Sequence, residues 1–523
     1  MRGLIRSLGV VGLALLSVVG LVVAWTATTV VQLTATALIM GGTGHPLSSP
    51  PDDPVGYINP YMSNAIDEFI NPAFASTGPG GTPIDEVGPG DDRYAVVTPE
   101  QFFPVSGSMT FDASVTAGLA NVSRCIRGST DCAYNPAVPG APAGAPDATD
   151  EFAVFGYSQS AVVASLLKKD IIENPDGYPD LEPGDVSFFL LSNPMRPNGG
   201  ALARGPGGLT IPIIGITFHG ATPTDSCNAS GECYETVDAA AQYDILGGDA
   251  PASLTNLLAI ANAVAGYYYF HGDMQNASLE DAEYQGSHGD TDYYLVRAQR
   301  LPILMPFEAF VPSPILTLLE APLKAAIEAG YARDINPGVA TKVGLLPFRD
   351  PVQAIVNIVK AIPVGIDDAI AEASGDENNR PLGTDPVTSP FGVGGPELPD
   401  PPSADGDENS RLGDGPGQDA LEGESAEEQV VEGEVIEAGA PEGEGADNLD
   451  ATTPRVGPRP VTRVGAHIRS TLDSIRLSKI RGPIRFDSQR DARPTSPATP
   501  GDDDTAPNAP ASTPADTANP AAA

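Results

Sequence analysis

The residues best suited to covalent chemistry lie in Phe155-Gly156-Tyr157-Ser158-Gln159-Ser160. A strand pattern, Glu151 to Phe155, leads into this stretch, and a helical pattern, Val162 to Ile172, follows it. A serine at such a strand–turn–helix junction is placed as in a nucleophile elbow, where the residues two positions to either side must be small, as Gly156 and Ser160 are. The helix N-terminus behind the serine aims N–H groups and a positive dipole end at developing negative charge, making the Gln159 N–H one oxyanion donor. A second loop, Gly41-Gly42-Thr43-Gly44-His45-Pro46, follows an early apolar run from Ala35 to Met40. Its glycines let backbone approach a substrate closely, and Thr43 is the expected second donor. The spacing is not that of a dinucleotide-binding loop, Gly-x-Gly-x-x-Gly.

A serine nucleophile needs a base, and the base needs an acid to orient it. The chain has five histidines. His45 stands in the glycine loop before the serine, His467 in a low-complexity tail, and His219 ahead of the best acids. His271 closes a long apolar helical stretch, Leu254 to Tyr269, and fits the order serine, acid, histidine; His288, in a polar stretch, is the second choice. For the acid, Tyr243 to Pro251 offers Asp244 and Asp249 after a strand. Asp249 lies in the loop beyond the strand end and is preferred; Asp244, nearer the strand, suits a turn-shaping role. Asp290 and Asp292 come after His271 and fit the order less well. The expected set is Ser158, Asp249 and His271, with Gln159 and Thr43 as oxyanion donors. No metal or other cofactor is expected.

The elements that must position these residues read as α/β. Strand patterns at Ala35–Met40, Glu151–Phe155, Val186–Leu191 and Thr236–Tyr243 are separated by segments with helical patterns, which predicts a mainly parallel central sheet. Helical spacing over Ile315–Ala332 and Val352–Ala373 predicts extra helices on the C-terminal side. The chain has 523 residues and a formal charge of −40, which argues against a nucleic-acid partner. Its four cysteines form two close pairs, Cys125 with Cys132 and Cys227 with Cys233, without zinc-ligand spacing. Two local disulfides in an oxidising compartment fit this best. Arg2 and Arg6 precede an uncharged apolar run, Leu8 to Ala24, so residues 1–30 read as a signal peptide or membrane anchor, and the remainder is expected outside the cytoplasm, secreted or anchored at the cell envelope. The folded domain is expected over 31–374. From about Gly375, Pro, Gly, Asp, Glu and Ser dominate and a disordered tail is expected to 523. A basic segment, 455–493, within it gives an alternative of association with an anionic membrane or envelope surface.

From about Ala37 to Ala332 the sequence resembles the PE-PPE hydrolase domain of mycobacteria and related actinobacteria. The motifs that carry the resemblance are Leu38-Ile39-Met40-Gly41-Gly42-Thr43-Gly44, Gly156-Tyr157-Ser158-Gln159-Ser160, and Gln242-Tyr243-Asp244 with Asp249-Ala250-Pro251. Tyr269-Phe270-His271-Gly272, Asp290-Thr291-Asp292-Tyr293-Tyr294 and Leu301-Pro302-Ile303-Leu304 complete them in the family's order. Met274 stands where the family commonly has an aromatic residue, three positions after the histidine. The resemblance implies a cutinase-like α/β-hydrolase fold and a triad on Ser158, Asp249 and His271. It also implies esterase activity on acyl esters. Acyl transfer to envelope lipids is an alternative with the same residues, and a non-catalytic envelope scaffold is a second.

Overall fold

In the computed structural model the described residues are 35–48, 52–77, 86–88 and 92–399. The expected export segment, 1–30, and the basic segment, 455–493, lie outside them. A seven-stranded sheet runs in the order β2-β1-β3-β4-β7-β9-β8. Its strands are β1 (Thr36–Ile39), β2 (Arg93–Ala95), β3 (Phe152–Tyr157), β4 (Val186–Leu191), β7 (Thr236–Ala241), β8 (Ala282–His288) and β9 (Thr291–Val296). All neighbours pair in parallel except β8 with β9. A small antiparallel ribbon, β5 (Thr210–Ile211) with β6 (Ile216–Thr217), stands apart. This is the α/β architecture expected, with helices on both faces.

The central strands β1, β3 and β4 are nearly continuous apolar runs, buried on both faces. Ala37, Ile39, Phe155 and Phe189 join one core layer with Ile58 and Ile66. Their neighbours Leu38, Val154 and Phe188 point the other way, into a second layer with Val115, Val163 and Leu167. The first layer is roofed by α1 (Val55–Asn64), a π-helical turn (Ala65–Ile70) and α2 (Asn71–Thr77). The second is covered by α3 (Phe111–Ile126) and α4 (Gln159–Glu173), beside the short α5 (Ala201–Arg204). Further on, α6 (Leu257–Phe270), α7 (Ser313–Glu328) and α8 (Pro351–Ser374) complete the helices, with α8 packed along α7. Both cysteine pairs are disulfides, Cys125–Cys132 and Cys227–Cys233.

Helix ends follow local chemistry. The Asp350 carboxylate caps α8 by accepting from the Val352 and Gln353 N–H groups, and Gly375 closes it in the left-handed conformation. The chain does not leave the domain there, where a tail was expected to begin. Asp367 accepts from the Leu382 and Thr384 N–H groups, the Gln242 amide donates to the Pro390 carbonyl, and Phe391 is buried. The strap 376–399 is therefore part of the folded body. Likewise, the polar stretch around His288 forms the hairpin β8–β9, turning at Gly289 with φ 59°. A β-carbon at Gly289 would lie 1.6 Å from the Thr224 carbonyl oxygen, so glycine is required there.

Among the described residues no helix is long and apolar enough to cross a membrane. The core does hold charges. Lys168 on α4 lies 2.7 Å from Asp290 and 2.8 Å from the Thr236 hydroxyl, and Ser226 also donates to Asp290. Removing one partner of a fully buried ion pair leaves the other uncompensated. Lys168→Met is therefore expected to lower unfolding free energy by about 3–5 kcal/mol in urea titration, with Lys168→Met/Asp290→Asn recovering part of the loss. A single variant as stable as the parent would contradict this.

Candidate active site

Three loops at the carboxyl ends of β1, β3 and β7 converge, as ligand sites do in open α/β sheets. After β3 the chain bends sharply at Ser158, whose backbone holds φ 57° and ψ −108°. The bend needs small neighbours. A β-carbon on Gly156 would lie 2.5 Å from the Ser160 carbonyl oxygen. The Ser160 hydroxyl accepts from the Tyr157 N–H at 2.8 Å, tying the turn across its base. The Ser158 N–H donates to the Leu191 carbonyl of β4. Non-glycine residues held in such conformations cost about 1–3 kcal/mol and persist where surrounding structure fixes them.

The hydroxyl so presented lies 2.7 Å from His271 Nε2. His271 follows α6 directly, and its ring stacks on Tyr157 and meets Tyr267 at a tilt, at centroid distances of 5.8 and 4.8 Å. The Tyr157 hydroxyl donates to the His271 carbonyl, fixing its backbone as well. On the far side of the ring, Nδ1 lies 2.6 Å from Asp244 Oδ2. Asp244 is wholly buried, His271 is 12 % exposed and Ser158 9 %. The three side chains thus form one hydrogen-bonded line that ends on a carboxylate in the core.

The acid on the imidazole is therefore Asp244, correcting the expectation for Asp249. The reason lies in the turn after β7. Asp244 Oδ1 accepts from the Leu246 and Gly247 N–H groups at 3.2 and 2.9 Å, which leaves Oδ2 turned toward the ring. The Asp249 carboxylate faces elsewhere, accepting from the Tyr243 N–H at 2.7 Å and pairing with Arg333 at 2.5 Å. Gly247 allows the close approach: a β-carbon there would lie 2.0 Å from Asp244 Oδ2 and 3.0 Å from His271 Nδ1. His288 ends β8, is exposed, and makes no contact with Ser158.

The two expected oxyanion residues are joined to each other. The Thr43 hydroxyl donates to Gln159 Oε1 at 2.9 Å, and the Gln159 amide donates to the Gln101 carbonyl at 3.0 Å. As first residue of α4, Gln159 has an N–H without an intrahelical acceptor. The glycine loop is packed too tightly for side chains: β-carbons on Gly41 and Gly42 would meet the His45 carbonyl at 2.0 Å and the Tyr157 ring at 2.9 Å. His45 itself bonds Asp53 at 2.9 Å. Behind the loop, the Glu100 carbonyl accepts from the Gly44 N–H at 2.7 Å. Glu100 and Gln101 escaped the sequence reading because an isolated Glu-Gln pair carries no pattern. Among the described residues no cluster of three or more His, Cys, Asp or Glu could hold a metal.

Fold and site together define an α/β protein that presents a serine on a strand–turn–helix bend beside a histidine and a buried aspartate. The chain belongs to the PE-PPE family: residues 89–332 match the PE-PPE domain model. Esterase PE16 of Mycobacterium tuberculosis is 32 % identical over 374 residues, covering 69 % of this chain and 61 % of its own. The uncharacterized PPE family protein PPE42 of the same species is 32 % identical over 354 residues, covering 64 % and 51 %. The PE family protein PE3 is 31 % identical over 346 residues, covering 62 % and 64 %. The chain thus spans about half to two thirds of the length of these relatives. No solved structure matches.

Two outcomes follow from this geometry. Gly247→Ala is expected to push Asp244 off the ring and slow labelling of Ser158 by a fluorophosphonate roughly a hundredfold, the scale of a misplacement near 1 Å; an unchanged labelling rate would contradict it. Burial pushes the Glu100 carboxyl from its ordinary value of 4.5 up to about 8. The folded state then keeps a proton that the unfolded chain has lost. Stability from this group is highest below pH 4.5 and falls as pH rises toward about 8, by at most about 1.4 kcal/mol per pH unit. Urea midpoints at several pH values should show a shallower decline in Glu100→Gln than in the parent, and equal slopes would refute the assignment.

Proposed function

We propose that the chain is an exported serine hydrolase that cleaves acyl esters through an acyl-enzyme. The observation that carries this reading is the unbroken line Ser158–His271–Asp244, with contacts of 2.7 and 2.6 Å. His271 Nε2 takes the Ser158 proton as Oγ attacks the ester carbonyl carbon. Asp244 accepts from Nδ1–H, which selects the tautomer with a free Nε2 and stabilises the imidazolium that forms. The oxyanion is held by the N–H groups of Gln159 and Thr43, each such donor contributing about 3–4 kcal/mol in other enzymes. His271 then returns the proton to the leaving alcohol. Water, deprotonated by the same ring, releases the acid and restores the serine.

Acyl esters are favoured as substrates by the surroundings of the imidazole. Tyr267 lies against it, and α6 continues outward through exposed Val264, Tyr268 and Leu257, with no charged residue along the helix. The name of Esterase PE16 agrees with this class. Two disulfides and the apolar N-terminal sequence support an extracytoplasmic location at the cell envelope.

The test is hydrolysis of nitrophenyl esters graded in chain length. Ser158→Ala is expected to abolish turnover and fluorophosphonate labelling together. Asp244→Asn should lower kcat by about ten-thousand-fold, as wrong-tautomer variants of such triads do. Folded parent protein that neither labels nor turns over would support the scaffold alternative instead. Product analysis with an added acceptor alcohol distinguishes hydrolysis from acyl transfer.

A further inference from the structure

Tyr243, immediately before the acid on the imidazole, stands in an unfavourable conformation, with φ 70° and its side chain fully buried. Both of its polar ends are held. Its N–H donates to Asp249 Oδ2 at 2.7 Å, and its hydroxyl donates to Glu328 Oε1 at 2.8 Å. The two acceptors come from different parts of the fold, Asp249 from the loop after β7 and Glu328 from the last turn of α7. One cation joins them: Arg333 donates to both oxygens of Asp249, at 2.5 and 3.0 Å, and through Nε to Glu328 at 2.8 Å. Its guanidinium lies against Tyr331 and against Phe391 of the strap, 4.1 and 4.5 Å from the ring centroids. Asp249 also reaches Asp244 directly, donating its N–H to the Asp244 carbonyl at 3.0 Å.

We propose that Arg333 is a positioning residue: by fastening Asp249 and Glu328 together it holds Tyr243 in its left-handed conformation and so aims Asp244 at His271. The inference rests on the triad reading above. Arg333 touches no reacting atom and acts through the single peptide link that joins Tyr243 to Asp244. A planar guanidinium serves because it meets two carboxylates along different edges at once while stacking on aromatic faces, which an ammonium does not do. Release of the clamp lets Tyr243 relax toward ordinary backbone angles and turns the Asp244 carboxylate off Nδ1.

The decisive experiment is a double-mutant cycle in the full chain, with ester hydrolysis measured well below each variant's melting temperature. Arg333→Lys is expected to lower kcat at least tenfold with KM within twofold. In an Asp244→Asn background the same change should cost less than twofold, because the interaction it serves is already lost. A folded Arg333→Lys with parental kcat, or an equal loss in both backgrounds, would overturn the proposal, since a purely structural role lowers stability without coupling to Asp244. If Arg333→Lys does not fold, Tyr243→Phe and Glu328→Gln decide: each removes one hydrogen bond of the clamp and should reduce kcat about threefold or more, and unchanged kcat in both would overturn it. A failure of the triad reading is separable, because Ser158→Ala would then keep its turnover.

Discussion

The site depends on one strained bend. Ser158 follows a strand buried on both faces and precedes a helix packed on the same sheet, so neither flank can yield to relax its positive φ. Gly156 and Ser160 remove the side-chain bulk that would forbid the bend, and the Ser160 hydroxyl bridges it. The result is a hydroxyl lifted from the sheet toward a fixed imidazole, with the amino end of α4 behind it. The energy held at the bend is about 1–3 kcal/mol, small beside the burial of the two core layers that enforce it.

Histidine and acid are held by different means. His271 is fixed by aromatic packing and by the Tyr157 hydroxyl on its carbonyl. Asp244 is fixed by backbone N–H groups of its own turn. Other buried charges anchor the sheet away from the site: Lys168 with Asp290, and Arg196 with Asp238 at 2.6 Å. A buried charge is tolerated only when paired and hydrogen-bonded; here Lys168 ties α4 to the start of β9 through Asp290, and Arg196 ties its loop to the middle of β7 through Asp238. The acids that the sequence offered as weak alternatives for the triad are thereby accounted for in part, since Asp290 serves Lys168 in the core.

Much of the fold was legible because its central strands are buried on both faces and read as apolar runs bounded by glycines or polar turns. Val186–Leu191 was read with its observed bounds, and the bend at Ser158 follows from small residues at fixed offsets. The hairpin β8–β9 was not legible: Ala282 to His288 is polar and only partly buried, so its place at the sheet edge shows no apolar signal. The strap 376–399 was missed for a related reason. It docks mainly through one ring, Phe391, and through hydrogen bonds to Asp367 and Gln242, none of which leaves a periodic pattern.

The sequence by itself determined the parallel sheet, the serine at its bend, the glycine loop beside it and the two close cysteine pairs, and it ranked His271 ahead of His288. All of these follow from local residue type and short spacing. Only the tertiary structure decided which aspartate meets the imidazole. Asp244 and Asp249 are five residues apart on one turn, and both are acids after the same strand. What separates them is the direction of each carboxylate. That direction is set by the backbone angle at Tyr243 and by Arg333, 84 residues further along the chain from Asp249. Spacing along a chain encodes neither.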